Sequence, residues 1–383
     1  MFFARLGGDE FAIFLASPPD QGHIEDLATQ LLDSLNNPIQ IEATEVFVTA
    51  SIGIVHAEGQ YQSPQELLRD ADTAMYEAKT QYQGGGYVFF DEYMHTAARN
   101  RLQLEVELRR DIEALLQGTR SSFFLTYQPI VALETGELTG FEVLLRWAHS
   151  QKGNVLPDDF IAVLEETGLI LPLGDWVLET ACRQLQEWRL AYPQAEDLTI
   201  SINVSGKQFL QPNWASKIES LLNQSQLPPS SLRLEVTESV LIASVAAVSD
   251  CFDTLKSLGI LISLDDFGTG YSSLSYLQDF PVDHLKIDRS FIAELGQGEN
   301  SIVQAVINLS HNLGMQAVAE GVENVEQLRQ LLDLGCDFCQ GYFLAKPLLP
   351  QAATAMIASP RHFDHAGLWH RDIAASKGVA DQK

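Results

Sequence analysis

Cysteines, basic residues and long hydrophobic segments are all scarce in this sequence. The 383 residues include only four cysteines, scattered among apolar segments, which is too few for a disulfide framework in a chain of this length. No apolar run approaches the roughly 18 to 20 residues that span a bilayer, and the start MFFARLGGDE lacks the basic and apolar regions of a signal peptide. We therefore expect a cytoplasmic chain without a membrane segment, although a longer parent protein could be anchored in a membrane.

Acidic residues outnumber basic ones by 51 to 24, which gives a formal net charge of −27. A field of this sign repels phosphate backbones and anionic lipids, so we expect no nonspecific binding to nucleic acid. A ligand that carries phosphates would need a cation between it and the protein, and a divalent metal held by clustered carboxylates would meet that need. The content of hydrophobic residues, 46%, and of charged residues, 20%, is that of a globular protein.

The order of strand-like and helix-like segments predicts two regions joined by a helix. Residues 1–92 alternate between the two patterns, as in an α/β layer. Residues 93–118 are highly charged, with apolar residues at three- and four-residue steps, and are predicted to form an amphipathic linker helix. Residues 119–350 contain eight strand-like segments separated by helical ones, which is typical of a (β/α)8 barrel. The apolar periodicity then fades, and residues 351–383 are interpreted as a tail.

Successive side chains of a barrel strand face alternately the surrounding helices and the barrel axis. In six of the predicted strands a polar residue lies between bulky apolar neighbours and is therefore expected to face the axis. We expect these residues near the carboxyl ends of their strands, where barrel enzymes assemble their sites. They are Glu142, Asn203, Glu235, Asp265, Lys286 and Glu320. A buried salt bridge would explain any one of them, but the inward cations, Lys286 and Arg146, are too few to pair with all the carboxylates.

The carboxylates among these residues indicate a metal site. Glu142, Glu235, Asp265 and Asp266 would repel one another if they were gathered without cations, and two divalent metals would relieve that repulsion. With Asn203 as a neutral oxygen ligand, the set suits Mg²⁺ or Mn²⁺ rather than zinc, which prefers histidine and cysteine.

Seven motifs lie in order between about Phe123 and Pro350: FEVLLRW, INVS, EVTES, DDFGTGYSSLSYL, LKIDRSF, AEGVE and QGYF. Together they resemble the EAL-domain family of cyclic di-GMP phosphodiesterases. The triplet that names the family reads Glu142-Val143-Leu144, with valine in place of alanine, and only the glutamate takes part in the chemistry. The resemblance implies an EAL-type TIM-like barrel that hydrolyses one phosphodiester of cyclic di-GMP to give linear pGpG.

The resemblance also implies the metal ligands. Four residues would hold a first metal, and Asp265 would bridge to a second metal that Asp266 also holds. The four are Glu142, Asn203, Glu235 and Asp265.

Five further residues receive roles from the same resemblance. Lys286 and Glu320 would position or deprotonate the attacking water, and either of the two could be the general base. Gln340 would help to hold the water network. Arg146 would contact a substrate phosphate, and Gln128 would touch the nucleotide.

The segment DDFGTGYSSLSYL could be an ordinary turn, but it resembles the family's loop between the site and the dimer interface. Gly268 and Gly270, which flank Thr269, allow backbone turns that are closed to other residues. Glu238 resembles the residue that anchors this loop. The loop is usually degraded in non-catalytic relatives, so its completeness here favours an active enzyme. The resemblance also implies a homodimer formed through the EAL domain.

The segment RLGGDEF near the amino terminus resembles the signature of GGDEF diguanylate cyclases, and the resemblance continues to about Phe90. Its glycines would admit a nucleotide close to the backbone, and its acidic pair would include a metal ligand. These signature residues are Gly7, Gly8, Asp9 and Glu10. The signature normally lies near the middle of its domain. We therefore expect a truncated domain without cyclase activity, exposed apolar surface, and an upstream sensory region that is missing from this chain.

Two other functions stay open. The chain could be a receptor that binds cyclic di-GMP without turnover and relays the signal to a partner, or an interaction scaffold with a structural acidic rim. Every expected metal ligand is present, which favours the enzyme. Cys336 and Cys339 lack a second cysteine pair for zinc and are assigned to packing. His362, His365 and His370 are interpreted as solvated residues of the tail.

Overall fold

A computed structural model of the chain describes residues 1–18, 20–35, 39–41, 44–46, 48–57, 61–82, 85–119, 122–238, 240, 245–268, 280–295 and 301–358. The chain forms two compact units, Met1–Leu104 and Glu105–Lys383. Within the parts of the chain that the structure describes, no helix is both long enough and apolar enough to cross a membrane.

The first unit is built from short strands and two helices. Its elements are β1 (Phe2–Gly7), β2 (Glu10–Phe14), α1 (Gln21–Leu35), β3 (Ile39–Ile41), β4 (Thr44–Val46), β5 (Ile52–Ile54), α2 (Pro64–Tyr82) and β6 (Tyr87–Phe89). Strands β1 and β2 form an antiparallel hairpin, and β5 pairs with β6 in parallel. The hairpin carries exposed aromatic residues, among them Phe2 and Phe14, as predicted.

Helix α3 spans Glu92–Leu116 and is the predicted linker helix. Its apolar stripe is buried at Leu108 and Ile112. Asp111 lies on the same part of the helix and accepts a hydrogen bond of 3.0 Å from Nε1 of the buried Trp147. The second half of the linker helix is therefore fixed to the second unit by a polar contact as well as by apolar packing.

The second unit is a closed barrel of eight strands with one added strand. The strands are β7 (Phe123–Ala132), β8 (Leu138–His149), β9 (Gly153–Val155), β10 (Thr199–Asn203), β11 (Leu232–Thr237), β12 (Leu261–Phe267), β13 (His284–Ile287), β14 (Gln316–Ala319) and β15 (Phe338–Cys339). Helices follow most of the strands. They are α4 (Pro157–Thr167), α5 (Ile170–Ala191), α6 (Gly206–Phe209), α7 (Trp214–Gln224), α8 (Val245–Leu258), α9 (Arg289–Ala293), α10 (Ser301–Asn312), α11 (Val325–Asp333) and α12 (Pro350–Ala358).

The strand order confirms the predicted barrel and adds one departure from an all-parallel arrangement. The order is β10-β11-β12-β13-β14-β15-β7-β8, and pairing of β8 with β10 closes the circle. Strand β7 runs antiparallel to both of its neighbours, β15 and β8. The reason is the short connection between β7 and β8, because a tight turn can join only antiparallel strands. Strand β9 pairs with the far end of β8, outside the barrel.

Side chains alternate along the barrel strands as the sequence pattern predicts. In β11, Leu232, Leu234 and Val236 are at most 1% exposed and belong to the hydrophobic core. Arg233 and Glu235 have the opposite parity and therefore face the barrel axis. The same alternation places polar residues of β10, β12 and β13 on the axis-facing side, whereas β14 places the apolar Val318 there.

A close backbone approach in the barrel yields a stability prediction. A Cβ atom at Gly140 of β8 would overlap both the side chain and the carbonyl group of Thr199 on β10. We expect Gly140→Ala to lower the free energy of unfolding by about 1–3 kcal/mol, the usual cost of overpacking a core. Urea titration followed by circular dichroism would measure it. An unfolding midpoint equal to that of the wild type would show that these two strands separate without cost.

Candidate active site

One buried lysine lies at the centre of the polar barrel interior. Lys286 on β13 is 1% exposed, and its Nζ contacts oxygens from three carboxylates on three other strands or strand ends. The distances are 2.6 Å to Glu320 Oε1, 2.7 Å to Glu235 Oε2 and 3.1 Å to Asp265 Oδ1. Glu142 Oε2 lies farther away, at 3.9 Å. The barrel thus gathers four of the predicted carboxylates around one cation.

Two amide side chains hold Glu142 within this group. Asn203 Nδ2 donates to Glu142 Oε1 at 2.8 Å, and Gln340 Nε2 donates to Glu142 Oε2 at 2.6 Å. Gln340 also donates to Glu320 Oε1 at 3.1 Å. No described residue donates to Oδ1 of Asn203, so this oxygen is available to a cation.

The residues meet because they occupy one level of the barrel. Asn203 ends β10, Glu320 directly follows β14 and Gln340 directly follows β15, in agreement with the prediction for strand ends. Glu142 differs from that prediction, since it lies in the first half of β8. The physical reason is that β8 continues past the barrel to pair with β9, so the carboxyl end of this strand is not the rim of the barrel.

The backbone at Asp266 brings a fifth carboxylate to the cluster. Consecutive residues of a regular strand face opposite sides, but Asp266 has a φ of +55° and the pairing of β12 with β13 shifts register between Leu264 and Phe267. Carboxylate oxygens of Asp265, Asp266 and Glu320 consequently all lie within 4.8 Å of one another. Positive φ at a residue other than glycine is uncommon and concentrates at functional sites.

Burial and mutual repulsion shape the protonation of this group. Burial raises the pKa of Glu235 to about 7, with Lys286 opposing the rise and Glu142 and Asp265 adding to it. Burial also raises the pKa of Glu320 well above its usual value. Burial alone would lower the pKa of Lys286, but the surrounding carboxylates raise it well above its usual value. The lysine is therefore cationic, and the cluster sets five carboxyl groups against this single cation.

The other predicted site residues lie around this cluster. Gln128 is buried on β7, in register with Glu142, and its Nε2 donates to Ala345 O at 3.5 Å. Arg146 lies four residues beyond Glu142 on β8 and donates to Leu145 O at 2.9 Å. Burial lowers the pKa of Arg146, and the negative charge of Glu142 opposes this effect.

The predicted loop residues are only partly described. Glu238 directly follows β11 and is half-buried. Gly268 directly follows β12 with a φ of +95°, and a Cβ atom there would lie 3.0 Å from Cε2 of Phe291, so only glycine fits without strain. Thr269 and Gly270 lie outside the described residues.

The signature residues of the first unit form the β1–β2 turn. Gly8 has a φ of +54°, and Arg5 Nε donates to its carbonyl oxygen at 2.9 Å. All four signature residues are exposed on this turn. They are Gly7, Gly8, Asp9 and Glu10.

Comparison with known families assigns the two parts of the chain. The model of the EAL domain matches residues 107–347. The chain belongs to the EAL-domain family. The model of the diguanylate cyclase GGDEF domain matches residues 2–84, ahead of the EAL domain. Both resemblances drawn from the motifs are confirmed.

Relatives that match nearly the whole chain include signalling proteins. The bifunctional diguanylate cyclase/cyclic di-GMP phosphodiesterase MucR of Pseudomonas aeruginosa is 41% identical over 357 residues, which cover 93% of this chain and 51% of MucR. The signaling protein YkoW of Bacillus subtilis is 38% identical over 353 residues, which cover 91% of this chain and 43% of YkoW. This chain therefore spans about half the length of the curated relatives it matches.

Solved EAL structures resemble the second unit. The PaMucR phosphodiesterase in complex with cyclic di-GMP is 40% identical, with a TM-score of 0.61, over 66% of this chain and 99% of that one. The FimX EAL domain of Pseudomonas aeruginosa bound to cyclic di-GMP is 25% identical, with a TM-score of 0.57, over 64% of this chain and 96% of that one. The EAL barrel predicted from the sequence is thus confirmed.

The sequence motifs missed a second polar level inside the EAL barrel. Arg233 and His284 are buried two residues before Glu235 and Lys286 on β11 and β13, and Arg233 Nη2 lies 2.9 Å from His284 Nε2. The strand parity that identified Glu235 and Lys286 would also have found both residues. They were missed because no family motif includes them.

Proposed function

We propose that this chain hydrolyses one phosphodiester bond of cyclic di-GMP and releases linear pGpG, with Mg²⁺ or Mn²⁺ as cofactor. The supporting observation is a cluster of five carboxylates, four of which lie within 4.0 Å of the buried Lys286 Nζ, with two amides that donate to Glu142. The membership of the EAL-domain family and the bound cyclic di-GMP in two solved relatives support the choice of substrate.

The composition of the cluster fits a site for two divalent cations. Its carboxylates outnumber its single lysine, and its ligand atoms are all oxygens, the set that Mg²⁺ and Mn²⁺ prefer. The first cation would be held by Glu142, Asn203, Glu235 and Asp265, and the second by Asp265 and Asp266. When bound, such a pair of cations activates a water molecule and offsets the charge of the phosphate.

The residues next to this site would guide the water and the proton. The surrounding carboxylates raise the pKa of Lys286, so Lys286 would position the water as a cation rather than take its proton, and Glu320 would accept the proton. Gln340 would keep Glu320 and Glu142 in place through its two hydrogen bonds. The water oxygen would bond to phosphorus, the bond from phosphorus to the ribose O3′ would break, and O3′ would take up a proton.

Two residues at the rim would bind the substrate. Arg146, half-buried on β8, would contact a phosphate, where a guanidinium group can bind two oxygens at once. Gln128 would contact the nucleotide.

We propose further that residues 119–350 form the catalytic domain and that it acts as a cytoplasmic homodimer. The loop that follows β12, with Gly268, Thr269 and Gly270, would connect the site to the dimer interface, and Glu238, which directly follows β11, would anchor it. The GGDEF part would not synthesise cyclic di-GMP.

A chromatographic assay tests the proposal. Purified protein incubated with cyclic di-GMP and Mg²⁺ or Mn²⁺ should yield pGpG, and EDTA should abolish the reaction because the carboxylates alone do not activate water. A matched incubation with linear pGpG would separate ring opening from later cleavage. Binding of cyclic di-GMP without formation of pGpG would instead establish a receptor, and neither binding nor a change in melting temperature would indicate a scaffold.

A further inference from the structure

Two polar contacts cross the inside of the barrel at successive levels. On β11, Arg233 and Glu235 are two residues apart and face the same side, as do His284 and Lys286 on β13. The upper contact joins Lys286 Nζ to Glu235 Oε2 at 2.7 Å, within the carboxylate cluster. The lower contact joins Arg233 Nη2 to His284 Nε2 at 2.9 Å. Arg233 therefore lies directly below the candidate metal site.

The guanidinium of Arg233 is buried without a carboxylate partner. The residue is 4% exposed, and no carboxylate in the described parts of the chain lies within 4.0 Å of it. Its Nε also has no hydrogen-bond partner among those residues, and its Cζ lies 5.9 Å from the centre of the Phe338 ring. A neutral acceptor and an aromatic ring offset only part of the cost of burying this charge, and the negative potential of more distant carboxylates adds to its stabilisation.

His284 does not supply that negative potential, because its imidazole is neutral. For the same reason it adds no second positive charge beside Arg233. An arginine side chain can only donate hydrogen bonds, so His284 Nε2 is the acceptor in the lower contact. Burial, followed by the charges of Arg233 and Lys256, lowers the pKa of His284 to about 2. The histidine is therefore a neutral support that fixes the guanidinium in the barrel interior.

Glu235, two residues beyond Arg233 and on the same face of β11, is the carboxylate of the cluster that lies on the same strand as Arg233. Burial lowers the pKa of Arg233, and Glu235 is the strongest of the charges that oppose this effect, followed by Asp283. Asp283 already has a partner, because Lys256 Nζ lies 2.6 and 2.8 Å from its two oxygens. Glu235 belongs to a cluster whose carboxylates are in excess of Lys286. The positive charge of Arg233 below the site thus has the opposite sign to the charge of the carboxylates at the site.

We propose that Arg233 is a fixed counter-cation for the carboxylate cluster. Its positive charge lowers the repulsion among the carboxylates when no divalent cation is bound, and it weakens the binding of such a cation. The inference rests on the proposed function in taking the cluster as a divalent-cation site. It assigns Arg233 a role through charge rather than through contact with substrate, and the charge is present at every pH at which the protein folds.

The experiment compares Arg233→Met, which removes the charge, with Arg233→Lys, which keeps it. Isothermal titration calorimetry with Mn²⁺ should give a dissociation constant for Arg233→Met that is lower than that of the wild type by about tenfold. The reason is that the positive charge two residues before Glu235 on β11 no longer opposes the cation. The melting temperature of this variant in EDTA should fall below that of the wild type. Arg233→Lys should resemble the wild type in both measurements.

Arg189→Met is the matched control. Arg189 is a half-buried arginine of α5 that donates to Leu198 O at 2.9 Å and has no contact with the cluster, so its loss should leave the Mn²⁺ affinity unchanged. An Mn²⁺ affinity of Arg233→Met that equals or falls below that of the wild type would overturn the inference, since a merely structural role predicts that result.

Two further outcomes are informative. If the wild type binds no Mn²⁺ but Arg233→Met still melts lower in EDTA than Arg233→Lys, the metal site of the proposed function fails while the counter-charge stands. If Arg233→Met does not fold, Arg233→Gln replaces it, because glutamine is a neutral donor. A Gln variant that folds only with Mn²⁺ would support the inference, and one that stays unfolded at saturating Mn²⁺ would contradict it.

Discussion

Replacing Glu142 with alanine is expected to lower the rate of cyclic di-GMP hydrolysis by about 10²–10³-fold, the scale on which removal of one preorganised electrostatic group reduces turnover. Glu142 accepts hydrogen bonds from Asn203 at 2.8 Å and from Gln340 at 2.6 Å, so its loss removes one proposed metal ligand and releases two other site residues. The fold should persist, because the substitution takes one negative charge out of a cluster that has too many.

The control for this prediction is Glu137→Ala. Glu137 is an exposed glutamate that immediately precedes β8, and its side chain lies outside the cluster. Both variants should keep the wild-type melting temperature in EDTA, and only Glu142→Ala should lose formation of pGpG in the chromatographic assay. Activity of Glu142→Ala as high as that of the control would rule out a role for this carboxylate in the reaction.

Alternation along the strands explains why so much of the cluster could be predicted. In a buried barrel strand the parity of a residue decides whether it meets the helices or the axis. Glu235 between Leu234 and Val236, and Lys286 between Leu285 and Ile287, could therefore be assigned to the interior from sequence alone. Gln340 directly follows a strand of only two residues, too short for alternation to assign the direction of its side chain. The family motifs identified Gln340 instead.

Two features of the site could not be predicted in this way, because both depend on backbone geometry. Parity alone sends Asp266 away from Asp265, and only the positive φ at Asp266, with the register shift beside it, brings both carboxylates together. Likewise, the antiparallel β7–β8 hairpin determines that Glu142 lies well before the end of its strand. Local conformation and strand direction are set by the whole sheet rather than by the residue types.

The contacts of Lys286 have a consequence for the binding of cations at the site. One lysine that touches three carboxylates can hold the acidic residues together before any cation binds. The cluster is thereby formed in advance, and a cation does not have to assemble it against the repulsion of its own ligands. Preorganisation of this kind lowers the free-energy cost of binding and of reaching the transition state.

Lys286→Met is accordingly expected to destabilise the metal-free protein strongly, by about 3–5 kcal/mol at pH 7, the usual cost of removing one partner from a buried ionic group. Urea unfolding in EDTA would measure the loss. Lys256→Met is the matched control, because Lys256 pairs with Asp283 in a half-exposed position, where the loss of a salt bridge costs about 1 kcal/mol or less. Equal unfolding midpoints for Lys286→Met and the wild type would contradict the prediction.

The pH dependence of Lys286→Met should reveal the cause of its instability. In the wild type, burial already raises the pKa of Glu235 from 4.5 to about 7, so the folded metal-free protein binds a proton more tightly than the unfolded chain. A group of this kind destabilises the fold progressively as the pH rises from the unfolded pKa to the folded one. Without Lys286 the folded pKa rises further, and the metal-free variant should regain stability as the pH is lowered from 7 toward 5. Mg²⁺ should restore stability at pH 7, because it replaces the missing positive charge among the same oxygens.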